Sequence, residues 1–410
     1  MKLTRNSFLN SLLTSPLVLG LSSFETSKET LQDLPNWHFE SLKTQIAEPL
    51  KIESVELWNT MGQLLLVVTA NGQRGITQCN DRLQHLVSLL KGLVIPHFVG
   101  QDARDLPQLI DNAYRLNSNY KYAGMPLWNC IGSVEIACLD LMGKVAQKPV
   151  YQLLGKQIRA AYDVYISDWN REGQPEKIAE NLLRKLEATG AKGVKIKVGG
   201  RMVNTADNAA QTQRYIPTLR KILGDKTIIY ADANGSYAVR EAIETGKLLE
   251  DFGVEIFEEP CNFENEDGMR QVTKALKKIK IAGGEQDSSV FRFERLARSG
   301  VYDILQPDLY YNGGILRSLQ VAEIAKKFGK SIAPHTPKAD PLIAPFWQVA
   351  ALVDNLFGLQ ECVFNFNEKP KNWFSPDITI INGKMNIPDT AGLGVGYDPI
   401  IFKNGQKLIL

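Results

Sequence analysis

The chain has 410 residues, a formal charge of +2 and a charged fraction of 22%. That length exceeds one small domain, and the near-neutral charge gives no electrostatic reason to expect nucleic acid or an anionic membrane as partner. No apolar run reaches the roughly 18 residues of a spanning helix, and the five cysteines (Cys79, Cys130, Cys138, Cys261, Cys362) never fall in CxxC spacing, so neither a disulfide framework nor a zinc site is expected.

Residues 1–35 read as a separate leader. Lys2 and Arg5 precede Phe8, Leu9, Leu12, Leu13 and the PLVLGL run at 16–21, and a Ser/Thr/Glu-rich stretch follows. A basic start before an apolar middle resembles an export signal. Thr4-Arg5-Asn6-Ser7-Phe8-Leu9 resembles a twin-arginine signal with one arginine missing. Periplasmic export is therefore expected over a cytoplasmic location, and the plainer alternative is a disordered extension.

Residues 48–158 read as an α+β unit. LLLVVTANGQRGITQC holds two strands around Asn71-Gly72, a tight-turn signal. Residues 81–95 and 102–117 carry helical spacing, and 128–147 reads as a helix that is apolar on most of its surface. No cluster of ionisable groups stands out in this unit.

After Leu154-Gly155 the texture changes. Strand-like runs near 160–167, 193–198, 227–232, 254–259, 280–285, 302–308, 331–335 and 357–361 alternate with amphipathic stretches such as PEKIAENLLRKLEATG. Eight strands separated by helices predict a closed parallel (β/α)₈ barrel over 159–362. The tail, 363–410, is rich in Gly, Pro and Asn. It is expected to run back over the N-terminal unit and complete it.

Three acids each end a strand-like run: Asp232 in TIIYADAN, Glu258 in VEIFEEP and Glu285 in KIAGGE. Their spacings of 26 and 27 residues match one strand, one helix and two loops of such a barrel. Any one of them alone reads as a helix cap or a solvated loop residue. Three in register converge on one face and repel unless a cation sits between them. Hard oxygen donors suit Mg²⁺. Alternation sends Glu258 and Glu259 in different directions. Glu258 is taken as the ligand, and Glu259 is expected to pair with a neighbouring lysine.

The other strand ends carry Lys195 and Lys197, Asp308, His335 and Glu361. Lys195 and Lys197 are two apart, so both point into the mouth. A lysine near a metal and other cations has its charged form disfavoured, so its pKa falls and it can act as a base. Asp308 and His335 end adjacent strands, about 4.8 Å apart, and can hydrogen-bond. The acid would orient the imidazole and raise its basicity. Glu361 is either a hydrogen-bonding group for substrate or a partner for Lys338.

The ordered set VKIKVGG, YADANGSY, IFEEP, AGGEQ, LQPDLYYNGGI and APHTP resembles the enolase superfamily, specifically the mandelate-racemase-like subgroup of its mandelate racemase/muconate lactonizing enzyme family. The resemblance covers roughly residues 48–400. It implies a modified TIM barrel, (β/α)₇β, with an α+β capping domain built from the N-terminal region and the C-terminal tail. It implies Mg²⁺ on Asp232, Glu258 and Glu285, Lys197 as the base on one face of the substrate and the Asp308–His335 dyad on the other. Specificity would come from capping-domain loops around 58–63 and 119–129. A homo-oligomer is also implied.

The chemistry so implied removes a proton alpha to a carboxylate. The metal and Lys195 would offset the charge that develops. With a hydroxyl beta to the carboxylate, imidazolium His335 protonates it and water leaves, so an acid sugar would be dehydrated. Without one, reprotonation from the opposite face racemises or epimerises a 2-hydroxy acid. A binding protein that keeps the fold without catalysis is the alternative of another class.

Overall fold

Strand alternation builds the barrel in two layers. The first four strands are β4 (Ala161–Ser167), β5 (Gly193–Lys197), β6 (Ile228–Asp232) and β7 (Ile256–Glu258). They are followed by β8 (Lys280–Gly283), β9 (Ile304–Leu305), β10 (Ser331–Ile332) and β11 (Gln360–Cys362). Inward-facing Tyr165, Tyr230, Ile256, Ala282, Ile304 and Leu359 form one buried apolar cluster. Two residues further along their strands stand Ser167, Asp232, Glu258 and Glu361. A period of two keeps them on the same inner face. The charged layer therefore sits directly on the apolar one, at the C-terminal mouth.

Side chains are described for residues 34–336, 340–366, 372–403 and 405–409 of this computed structural model. Among them the barrel strands run parallel in the order β10-β9-β8-β7-β6-β5-β4-β11. The ring closes between β10 and the approach to β11, where Ile332 N–H donates to Asn355 O at 3.0 Å and Phe357 N–H to Ile332 O at 2.8 Å. Helices connect successive strands, from Pro175–Thr189 to Ala344–Leu352, and among the described residues no α-helix follows β11. The architecture is thus (β/α)₇β rather than the full (β/α)₈ that strand counting suggests. The leader expected at 1–35 lies, apart from Leu34 and Pro35, outside the described residues.

The capping unit starts with a meander of β1 (Ile52–Thr60), β2 (Gln63–Ala70) and β3 (Gln73–Cys79). Asn71 and Gly72 make the β2–β3 turn with φ of 50° and 72°, the left-handed pair that a two-residue hairpin needs. The tail does return. Its last strand, Gln406–Ile409, pairs antiparallel with β1. On the way it also pairs Lys384–Asn386 with β4, so it closes the lower edge of the barrel as well as the capping sheet.

The helix Met125–Val145 joins the two parts and sets the height of the site. Gly132 lies against Gly313 and Gly314, where a Cβ would come within 2.7 Å of backbone. One turn on, the buried Glu135 carboxylate accepts the N–H groups of Ile315 at 3.1 Å and Leu316 at 2.8 Å. A carboxylate there satisfies donors that the start of a helix leaves open. Nearby, Arg317 stacks on Trp128, 3.6 Å from the ring centroid. These contacts pin the loop from Asp308 to Gly314, which carries part of the active site.

Candidate active site

Lys195 lies at the bottom of the mouth and is almost fully buried. Its Nζ donates to Glu258 Oε1 at 3.0 Å and lies 3.0 Å from Glu361 Oε1. Burial disfavours its charge, but Glu258 and Glu361 outweigh that and hold it as ammonium. The lowered pKa expected of a strand-end lysine therefore does not hold for Lys195, because two carboxylates rather than other cations surround it. Glu361 also accepts the Ser167 hydroxyl at 2.7 Å. Lys195 thus takes the role of partner to Glu361. Lys338, the partner considered from sequence, lies outside the described residues. Glu258 further accepts Gln306 Nε2 at 2.9 Å. Burial pushes its carboxyl up to about 7, with Lys195 opposing and Asp232 and Glu361 adding to the rise.

Lys197 and Asp232 are register partners on β5 and β6, and Asp232 and Glu258 on β6 and β7. Lys197 Nζ donates to Asp232, which also accepts the Asn234 N–H at 2.8 Å. Burial would raise the Asp232 carboxyl, but Lys197 and Lys195 bring it down to about 2. Glu285 lies three residues beyond Ala282, the register partner of Glu258, and so stands higher in the mouth.

Asp308 and His335 form a parallel bridge, and His335 Nδ1 lies 2.8 Å from Asp308 Oδ2. The other Asp308 oxygen accepts the N–H groups of Tyr310 at 2.8 Å and Tyr311 at 2.9 Å, which fixes the carboxylate. His335 Nε2 faces Glu285 Oε2 at 3.5 Å. Burial works against the imidazolium, but Glu285 and Asp308 outweigh it and raise the His335 pKa to about 10. Contact with these two carboxylates favours the imidazolium, the form of the ring that can act as an acid. Asp308→Asn should lower that pKa by at least about one unit, since it removes an opposite charge in hydrogen-bond contact. Titration of the His335 ring by NMR checks this. An unchanged value would mean that Glu285 alone holds the proton.

Glu259 departs from the alternation that was expected to pair it with a lysine. Its φ of 44° turns the chain just past β7, and the side chain faces the mouth rather than an outer lysine. Its Oε1 is buried with no hydrogen-bond partner. Burial, then the charges of Glu285, Asp232 and Glu258, push its carboxyl well up.

All eight residues singled out by sequence gather at the mouth, around a cavity of about 470 Å³. Lys195, Lys197, Asp232, Glu285, His335 and Glu361 line it, together with Glu259. Glu258 lies behind Lys195, and Asp308 behind His335. The donor chemistry suits a hard divalent cation, because the carboxylates of Asp232, Glu258 and Glu285 come from successive strands; the buried unpartnered oxygen beside them belongs to Glu259. As the side chains stand, each acid is met by a protein cation: Asp232 by Lys197, Glu258 by Lys195, Glu285 by His335. Among the described residues no three acidic, histidine or cysteine side chains form a closed ligand group in this arrangement. An ion would displace the lysines from the acids they hold.

Sequence reasoning placed the contribution of the capping unit only in part. Met125 lines the cavity, as expected of the 119–129 stretch, but 58–63 contributes no lining residue. That segment is a tight β1–β2 hairpin whose Trp58 packs on Phe402 and under Lys407. Arg82 reaches the cavity instead, from the 3-10 turn Asp81–His85 that follows β3.

Residues 42–155 match the family described as mandelate racemase/muconate lactonizing enzyme, N-terminal domain, and 177–401 match enolase C-terminal domain-like. The chain is 27% identical to arabinonate dehydratase of Saccharolobus solfataricus over 360 residues, which cover 86% of this chain and 90% of that one. It is 28% identical to D-galactarolactone cycloisomerase of Agrobacterium fabrum over 306 residues, 72% and 79% of the two chains. A mandelate racemase/muconate lactonizing protein from Paracoccus denitrificans, solved complexed with magnesium, superposes with a TM-score of 0.81 at 25% identity, covering 88% of this chain and 99% of that one. This chain belongs to the mandelate racemase/muconate lactonizing enzyme family of the enolase superfamily.

Proposed function

We propose that the protein dehydrates an acid sugar by Mg²⁺-assisted removal of the proton alpha to its carboxylate. The observation that carries this reading is a cavity with two proton-transfer groups on separate arcs of its rim. Lys197 stands on the second strand, and His335 stands just beyond the seventh as an imidazolium. Asp232, Glu258 and Glu285 would hold the ion. Bound Mg²⁺ would act as a Lewis acid and lower the cost of charge on the enolised carboxylate.

The remaining steps belong to the chain's own residues. Lys195, kept as ammonium by Glu361 when Glu258 turns to the ion, presents its charge to the substrate carboxylate. Lys197 is placed to take the alpha proton. His335 delivers its Nε2 proton to the beta hydroxyl, which leaves as water. The enol so formed becomes a 2-oxo-3-deoxy acid. The curated relatives include a sugar-acid dehydratase, which supports this outcome. A second reading is isomerisation, favoured by the likeness to a cycloisomerase.

Proton NMR of the Mg²⁺-loaded protein with a panel of acid sugars in D₂O separates the two. Dehydration predicts loss of the alpha signal and a new 3-deoxy methylene carrying deuterium. Exchange or isomerisation with no loss of water would sink the dehydratase reading.

A further inference from the structure

We infer that the acid sugar taken by this site carries a second anionic group at the end remote from the reacting carboxylate, and that Arg82 binds it. The inference deepens the functional reading above and rests on it.

The three cations in the depth of the cavity each pair with carboxylates, five in all, and the excess of two negative charges is what a bound divalent cation would offset. Lys197 meets Asp232, Lys195 meets Glu258 and Glu361, and His335 meets Asp308 and Glu285. The rim is different. Arg82 and Arg201 both line the cavity, and among the described residues neither guanidinium has a carboxylate partner.

Arg82 is nonetheless held in place. Asn80 Oδ1 accepts its backbone N–H at 3.0 Å and caps the short turn. Its guanidinium donates to the Tyr311 hydroxyl and lies 5.3 Å from the centroid of that ring. Tyr311 is in turn fixed through its own N–H to Asp308, the partner of His335. A neutral hydroxyl thus positions the guanidinium on the wall of the cavity that His335 also lines, and no described carboxylate pairs with it.

A guanidinium presents a planar fork that matches a carboxylate with two parallel bonds. A terminal hydroxymethyl group offers neither the charge nor the second acceptor. A dicarboxylic acid sugar with its reacting end at Lys195 and its far end at Arg82 would complete the charge balance of the cavity. Hydrogen bonds to a charged partner of this kind correspond to roughly 10- to 100-fold in affinity.

The test uses six-carbon aldonates and the matching aldarates of each configuration, identical except at C6, with Mg²⁺ present. Dissociation constants are measured calorimetrically on the Lys197→Met protein, in which both exchange and dehydration should be lost, and on the same protein carrying Arg82→Gln or Arg82→Lys. For at least one configuration the aldarate should bind 10-fold or more tighter than its aldonate. Arg82→Gln should bring that ratio near one by weakening the aldarate, and Arg82→Lys should retain part of it. Equal binding of every matched pair overturns the inference, and so does a loss that falls equally on both classes in Arg82→Gln. Binding of neither class overturns it as well. Turnover by the unmodified protein is scored separately. Arg82-dependent aldarate binding without dehydration would refute the dehydratase reading while upholding the recognition role of Arg82.

Discussion

Replacing His335 with asparagine should slow dehydration by roughly 10²- to 10⁴-fold, the range for a positioned general acid, while exchange of the alpha proton with solvent deuterium continues. The two effects separate because the two proton-transfer groups stand on different arcs of the rim. Asparagine keeps a polar side chain beside Asp308 but has no proton acidic enough to release a hydroxyl. Lys197, on β5, is untouched by the substitution and, once an ion has drawn Asp232 from it, still reaches the alpha carbon. Lys197→Met should then remove both exchange and dehydration. Loss of exchange in His335→Asn with exchange retained in Lys197→Met would reverse the two assignments.

The pH profile supplies a second readout of the same residue. His335 has its pKa raised from 6.5 to about 10, so the acid form is complete through neutral pH and is lost only as pH rises through that value. Mg²⁺ on Glu285 would offset the largest of the charges that raise this pKa, so in the loaded protein the alkaline fall of dehydration should lie below 10, while Asp308, still in hydrogen-bond contact, should keep it above 6.5.

The barrel and its charged rim were legible because alternation does two jobs at once. An apolar inward residue such as Tyr230 or Ile256 is followed two places later by Asp232 or Glu258, so strand, direction and mouth are written in one short run. Even β9 and β10, two residues each, were marked by the polar ends Asp308 and His335 beyond them. What stayed hidden depends on backbone turns or on distant chain segments. Glu259 escapes alternation because of its left-handed φ, which no neighbouring residue type announces. Arg82 follows a strand as an ordinary turn residue, and its partner Tyr311 is 229 residues away. The pairing of Lys195 with both Glu258 and Glu361 joins three strands, and only the closed ring brings them together. Periodicity reports which face a side chain takes, not which residue of another strand it meets.

The same limit bears on the proposed metal ligands, where the largest loss is expected. Asp232→Asn, Glu258→Gln and Glu285→Gln should each lower turnover by about 10³-fold or more, because a Lewis acid supplies several kcal/mol of charge stabilisation. Each should also weaken Mg²⁺ itself, which can be read without substrate. In the unmodified protein, Mg²⁺ at 100 times its dissociation constant should stabilise the fold by about 2.7 kcal/mol, seen as a rise in the thermal midpoint. The three variants should show little of that rise. Glu259→Gln is the discriminating control. Glu258 is turned inward to Lys195 and Gln306, whereas Glu259 lies on the cavity wall with an unpartnered oxygen. For Glu258 to hold the ion it must release Lys195, whose ammonium then stays with Glu361 and becomes available to the substrate carboxylate. Glu259→Gln should accordingly keep most of the Mg²⁺-induced rise. If Glu259→Gln removed it and Glu258→Gln did not, the ligand would be the neighbouring residue, and Lys195 would remain bound to Glu258 throughout.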